Sequence, residues 1–129
     1  MSDAGTAVRE ALMARLKAQG ALVGVALFDG VAAAGVLPRV DIAEPQGVDW
    51  SAKDFRGREL RTAVTVRVAD GQRGRIAALA QAAERAGEDL SGDIGGWRVA
   101  GALFLRSRGV TEKSVHAVLV EHRVRVIEI

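Results

Sequence analysis

The sequence predicts an α+β fold, with a four- to five-stranded, mainly antiparallel sheet and two helices packed on one face of it. Two segments repeat apolar residues at helical spacing, and several others alternate apolar and polar residues as half-buried strands do. The last two strands follow each other closely, which is typical of a hairpin and favours antiparallel pairing. The 129 residues, 49% of them hydrophobic, predict a single domain over residues 1–129.

Apolar stripes predict helices over Thr6–Ala18 and Arg75–Ala86. The stripe of the first helix recurs every four residues: Val8, Leu12 and Leu16. Asp3 and Thr6 are both candidates for its N-cap, and Gly20 is expected to end it. The stripe of the second helix is narrow and rich in alanine, which indicates close packing on a sheet: Ile76, Leu79, Ala80 and Ala83.

Five segments are expected to form strands: Val23–Phe28, Arg39–Glu44, Arg58–Ala69, Trp97–Arg106 and Ser114–Ile127. Alternation in the third predicts one apolar face: Leu60, Val64, Val66 and Val68. The fourth is expected to place its large apolar residues on one side: Trp97, Val99, Leu103 and Leu105. Loops are predicted at residues 32–35 and 107–113. The opposite sheet face is rich in arginine, and it is either solvated or set against another subunit: Arg61, Arg67, Arg123 and Arg125.

Composition excludes several classes of function. The chain has no cysteine, which rules out disulfides and thiolate zinc sites, and no apolar run approaches 18 residues. We therefore expect a protein without membrane contact that stays in the cytoplasm unless a larger particle carries it out. The net charge is only +2, but residues 53–75 are locally basic and residues 29–49 locally acidic, an opposition that could steer self-association.

No arrangement of residues predicts catalysis, a metal or a cofactor. His116 and His122 are six residues apart, which is roughly 20 Å along a strand and too far for one metal ion. Each histidine is expected at the surface or at the edge of the core. The glycine-rich segment at residues 70–75 lacks the Lys-Ser/Thr pair of a phosphate-binding loop. An enzyme is therefore the least favoured class of function.

The segment from Gln46 to Glu59 is predicted to be a long loop between two strands. It contains Trp50 and Phe55, two of only five aromatic residues in the chain, among charges and glycines. Long loops inside domains are usually functional or disordered. The two rings are either anchors for a partner surface or side chains that fold back onto their own core.

Several motifs occur in the order found in one protein family: Leu27-Phe28-Asp29-Gly30, Leu37-Pro38-Arg39-Val40, Asp49-Trp50, Lys53 and Gly57-Arg58-Glu59. With the strands and helix that follow, they resemble the tail terminator, or tail completion, proteins of long-tailed phages, as found in prophages and gene transfer agents. The resemblance implies a non-enzymatic virion component. It implies a hexameric ring that caps the tail tube, ends its polymerisation and joins the tail to the head connector, while DNA passes through without specific binding.

The resemblance also suggests which residues contact a neighbouring subunit. Trp50 and Phe55 are expected to reach the next copy, with Lys53, Arg56 and Arg58 pairing against Asp41, Glu44 or Asp49 there. The expected interface residues are seven: Asp49, Trp50, Lys53, Phe55, Arg56, Arg58 and Glu59. Two alternatives stay open, namely another neck or tail component such as a connector or tube subunit, and a small nucleic-acid-binding module.

Overall fold

The computed structural model describes residues 2–30 and 36–129, except the side chains of residues 111 and 112. The loop expected at residues 32–35 lies outside the described residues. Two α-helices are present, α1 (Ala4–Lys17) and α2 (Ile76–Glu88). Short 3-10 helices lie at Gly20–Leu22 and Asp70–Arg75. The strands are β1 (Ala26–Asp29), β2 (Arg39–Ile42), β3 (Gln46–Asp49), β4 (Gly57–Ala69), β5 (Asp93–Ile94), β6 (Trp97–Glu112) and β7 (Val115–Glu128).

The start of helix α1 distinguishes between its two expected N-caps, Asp3 and Thr6. The carboxylate of Asp3 accepts a hydrogen bond from the backbone N–H of Thr6 at 2.9 Å, so Asp3 is the N-cap. The expected end at Gly20 was wrong, because the helix stops at Lys17. Gly20 instead begins a 3-10 turn that leads into β1.

The predicted count of four to five antiparallel strands was too low. The described residues contain a seven-stranded mixed sheet in the order β1-β2-β4-β7-β6-β5, with β3 also paired to β4. Strand β1 runs parallel to β2, whereas the other pairs are antiparallel. The short strands escaped detection because β3 is exposed throughout and β5 has two residues, so neither shows an alternation of apolar residues.

One face of the sheet carries the core and both helices, as predicted. Strand β4 alternates as expected, with Leu60, Val64, Val66 and Val68 buried on the helix side. They pack with the stripe of α1 and the small residues of α2. Removing such apolar surface from water contributes about 25 cal/mol per Å² and is the main stabilising term. The other face, bearing Arg61 and Arg123, is left open.

Two bulges in β6 overturn the alternation expected there. The register with β7 shifts between Val99 and Gly101 and again between Phe104 and Arg106. Each bulge inserts a residue, and one extra residue moves the following side chains to the opposite face. Ala102 and Phe104 therefore pack on the core, whereas Leu103 is 49% exposed.

The loop expected at residues 107–113 was also wrong, because β6 continues to Glu112. Lys113 and Ser114 alone make the turn into β7, and Ser114 has a left-handed φ of 60°. The sequence predicts that loop around Gly109. This glycine lies instead within a hairpin arm in which β6 is paired with β7 along its length.

The two histidines occupy different environments. His122 is completely buried between the sheet and α2, and its Nε2 lies 2.8 Å from the Glu84 carbonyl oxygen. It is therefore a core residue and not one at the surface or core edge. His116 is partly exposed, and its Nε2 lies 2.6 Å from a carboxylate oxygen of Asp70.

Candidate partner-binding surface

The residues expected to contact a partner lie on a hairpin and not on one long loop. Asp49 ends β3, whereas Arg58 and Glu59 belong to β4, which leaves a tip of residues 50–56. The backbone N–H of Trp50 donates to the Gly57 carbonyl at 3.0 Å, and Ala52 and Phe55 exchange backbone hydrogen bonds. We call residues 50–56 the hairpin tip; its shape is set by these backbone bonds.

Trp50 and Phe55 pack on each other and on the open sheet face. Their ring centroids are 5.4 Å apart, and the guanidinium of Arg125 lies 5.0 Å from the Trp50 ring centroid. Both rings are half-buried. Gly57 permits this approach, since a Cβ there would lie 2.5 Å from the Trp50 carbonyl oxygen. The rings thus rest on their own sheet and still present part of their surface to solvent.

Most charges around the hairpin tip are already paired inside the chain. Arg58 contacts Asp49 at 3.1 Å, and Arg56 lies 3.8 Å from Glu128. The hydroxyl of Ser51 donates to Asp49 at 2.7 Å, and this hydrogen bond lowers the pKa of the Asp49 carboxyl, with smaller help from Arg58. Lys53, in contrast, is exposed and makes no ion pair with the described residues.

The acidic groups expected to receive these bases from a neighbour are also occupied. Asp41 contacts Arg67 and also Arg39, the latter at 3.2 Å. Glu44 accepts from Arg9 of α1 at 2.5 Å. The acidic segment forms β2 and β3, and both strands pair with the basic β4. The charge opposition seen along the sequence is therefore largely neutralised within one subunit, so it does not by itself direct association.

A shallow depression of about 640 Å³ surrounds the hairpin tip. Its lining includes five of the seven expected interface residues: Asp49, Lys53, Phe55, Arg56 and Arg58. Trp50 and Glu59 are not part of this lining. Within residues 2–30 and 36–129, no group of acidic or histidine side chains has the arrangement of a metal site. A broad, polar depression lined by one half-buried ring, Phe55, is suited to a protein surface rather than to a small substrate.

Sequence reasoning missed the residues that hold the hairpin tip in place. Arg125 supports Trp50 and also pairs with Glu59 at 2.9 Å, although 66 residues separate the two charges in the chain. Only part of this arrangement could be predicted from the sequence. Alternation put Arg125 on the open face, but the β4–β7 register that sets it opposite Glu59 cannot be read from the sequence.

Comparisons with known proteins agree with this structure. The family model described as "Tail completion protein gp17" matches residues 10–127. Among solved structures, 27 chains match. One, from a structure described as "Virion of native gene transfer agent (GTA) particle", is 26% identical with a TM-score of 0.80, over 98% of this chain and 99% of that chain. No curated protein matches.

No helix in the described part of the chain has both the length and the apolar character needed to cross a bilayer. The family model spans nearly the whole chain, and the matched structure is a particle component of the same size and fold. The chain therefore belongs to the tail completion protein family, and it is a structural protein of a phage or gene transfer agent tail, not an enzyme.

Proposed function

We propose that this protein, acting as one domain over residues 1–129, forms a ring that caps the tail tube, ends its polymerisation and joins the tail to the head connector. The observation that carries the proposal is the family match over residues 10–127 together with the likeness to a gene transfer agent particle. A hexamer is the stoichiometry we expect. Assembly takes place in the host cytoplasm, before the ring enters the neck of the particle.

The hairpin tip and the adjoining ends of β3 and β4 supply the contact between subunits in this proposal. The interface residues are Asp49, Trp50, Lys53, Phe55, Arg56, Arg58 and Glu59. Arg125 holds the Trp50 ring and Phe55 packs on that ring, so little conformational entropy is lost when a neighbour covers the pair. Lys53 is free to pair, whereas Arg58 contributes through its existing pair with Asp49. Large preorganised rings beside arginines are the usual composition of interface hot spots.

Replacing Trp50 with Ala tests the contact. Loss of the ring pair and the cation–π contact should lower the free energy of unfolding by only about 1–2.5 kcal/mol, so the monomer stays folded. Subunit association should weaken by roughly 30-fold or more, as for a hot spot worth about 2 kcal/mol. Sedimentation velocity measures association, and circular dichroism measures folding. Val23→Ala, at a residue 78% exposed before β1, is the control.

The capping role itself is tested with polymerising tail tube protein. Adding the purified protein should shorten tubes in electron micrographs and leave rings at one end of each tube. Incorporation along the tube, without shortening, would instead identify a tube subunit. DNA is expected to pass through the ring without tight contact, so strong, salt-sensitive binding of duplex DNA by the free ring would contradict this part of the proposal.

A further inference from the structure

An unusual row of side chains crosses the open face of the sheet. The register places Gln46 beside Arg61, Arg61 beside Arg123, and Arg123 beside Leu103, across strands β3, β4, β7 and β6. Two arginines thus stand directly opposite each other on neighbouring strands. Like charges in that position destabilise a sheet unless an anion lies between them.

The chain supplies too little negative charge for this row. The carboxylate of Glu59 lies 2.9 Å from Arg125 and 3.9 Å from Arg123, so one acid serves two arginines. Arg61 is exposed and makes no ion pair with any residue that the structure describes. A groove of about 190 Å³ lies beside these arginines, which we call the arginine groove: Gln46, Val48, Glu59, Leu60, Arg61 and Arg123.

The surroundings of the arginine groove favour a protein ligand over a nucleic acid. Val48 is 60% exposed and Leu103 is 49% exposed, and both lie on the same face as the arginines. Apolar side chains beside arginines match a protein interface, whereas phosphate contacts do not need the apolar side chains. The lining contains no ring on which a base could stack.

The hairpin tip carries a carboxylate suited to the arginine groove. Asp54 is exposed and makes no ion pair with the described residues, although Asp49 beside it is paired. The other side-chain carboxylates without an ion pair in residues 2–30 and 36–129, side chains of 111 and 112 apart, lie on or next to the helices: Asp3, Glu10, Glu84, Glu88 and Asp89. A helix presents a broad surface, whereas Asp54 stands at the end of a two-stranded tip that matches a groove of about 190 Å³ better.

We propose that Asp54 of one copy enters the arginine groove of the next and pairs with Arg61 and Arg123. This inference rests on the proposed ring and names one contact within it. The inserted carboxylate and the arginine groove lie on different surfaces of the same chain, so the contact is heterologous. Successive heterologous contacts generate a closed ring when the rotations between neighbouring subunits add up to a full turn. The neighbour's carboxylate relieves the repulsion between the two arginines, which makes association stronger than a surface ion pair alone would.

A charge swap tests the contact with two single variants, Asp54→Arg and Arg61→Glu. Each alone should associate about tenfold more weakly or worse than the unmodified chain, because every contact then joins like charges. Mixed in equal amounts, the two variants should recover association, since each can alternate with the other in a ring with opposite charges at every contact. Sedimentation velocity at low salt gives all of these constants, and Arg73→Glu, at an exposed arginine in the helix layer, is the matched control.

Three results would overturn the contact: single variants that associate like the unmodified chain, weakened variants that mixing does not rescue, or an Arg61→Glu variant that loses duplex DNA binding and keeps self-association. Asp54→Asn and Arg61→Gln repeat the comparison without charge reversal if a swapped variant proves less stable by circular dichroism. An unmodified chain that makes no ring with or without tail tubes defeats the proposed function itself. A normal ring with unaffected single variants defeats only this contact.

Discussion

A methyl group added at Gly87 should destabilise the protein, although alanine is the better helix former. Gly87 lies within α2 and faces the buried ring of His122. A Cβ at this position would overlap three atoms of that ring. The ring cannot move aside, because it is completely buried, its Nε2 is held by the Glu84 carbonyl, and its edge packs on Phe104 at 5.7 Å.

The size of the effect follows from three opposing terms. Replacing glycine with alanine inside a helix stabilises it by about 1 kcal/mol. Overpacking a tight core costs about 1–3 kcal/mol, and loss of the His122 hydrogen bond costs about 1 kcal/mol more. The Gly87→Ala variant should therefore lose about 1–3 kcal/mol of unfolding free energy in urea titrations followed by circular dichroism.

Two controls isolate the steric cause. Gly74→Ala places its methyl group in open space, and its unfolding free energy should change by less than about 1 kcal/mol. In a His122→Ala background the ring is gone, so adding Gly87→Ala should be neutral or stabilising, a coupling that a double-mutant cycle measures. A Gly87→Ala variant as stable as the unmodified chain would refute the packing described between α2 and β7.

Two further predictions concern the same core. Burial lowers the pKa of His122, and the hydrogen bond to the Glu84 carbonyl and the carboxylates of Glu88 and Glu84 on α2 only partly oppose this. The unfolded chain therefore takes up the proton first, near pH 6.5. Stability should be full above that pH and fall below it by up to about 1.4 kcal/mol per pH unit, a slope that His122→Gln should reduce in urea titrations at several pH values. Leu103→Ala should change the free energy of unfolding by less than about 0.5 kcal/mol, whereas Leu60→Ala should lower it by about 2–5 kcal/mol. Equal losses for the two variants would contradict the positions of the bulges in β6.

The family resemblance and the importance of the segment from Gln46 to Glu59 could both be predicted from residue order, although that segment was expected to be a long loop and is a hairpin. Asp49-Trp50 and Gly57-Arg58-Glu59 are local motifs, and they identified the family that the comparisons then established. Trp50 and Phe55 were singled out as two of only five aromatic residues, set among charges and glycines. Whether those rings were free or packed could not be predicted, because the answer depends on Arg125, which β7 delivers from the other end of the chain.

The helices, the long strands and the buried face of the sheet could be predicted from residue order, because amphipathic periodicity is a local property of neighbouring residues. Four features are visible only in the folded chain: the mixed pairing, the exposed strand β3, the bulges that expose Leu103, and the ion pairs that neutralise the acidic segment. These features depend on register between strands far apart in the chain. A one-residue shift of register reverses every side chain, and no local pattern records it.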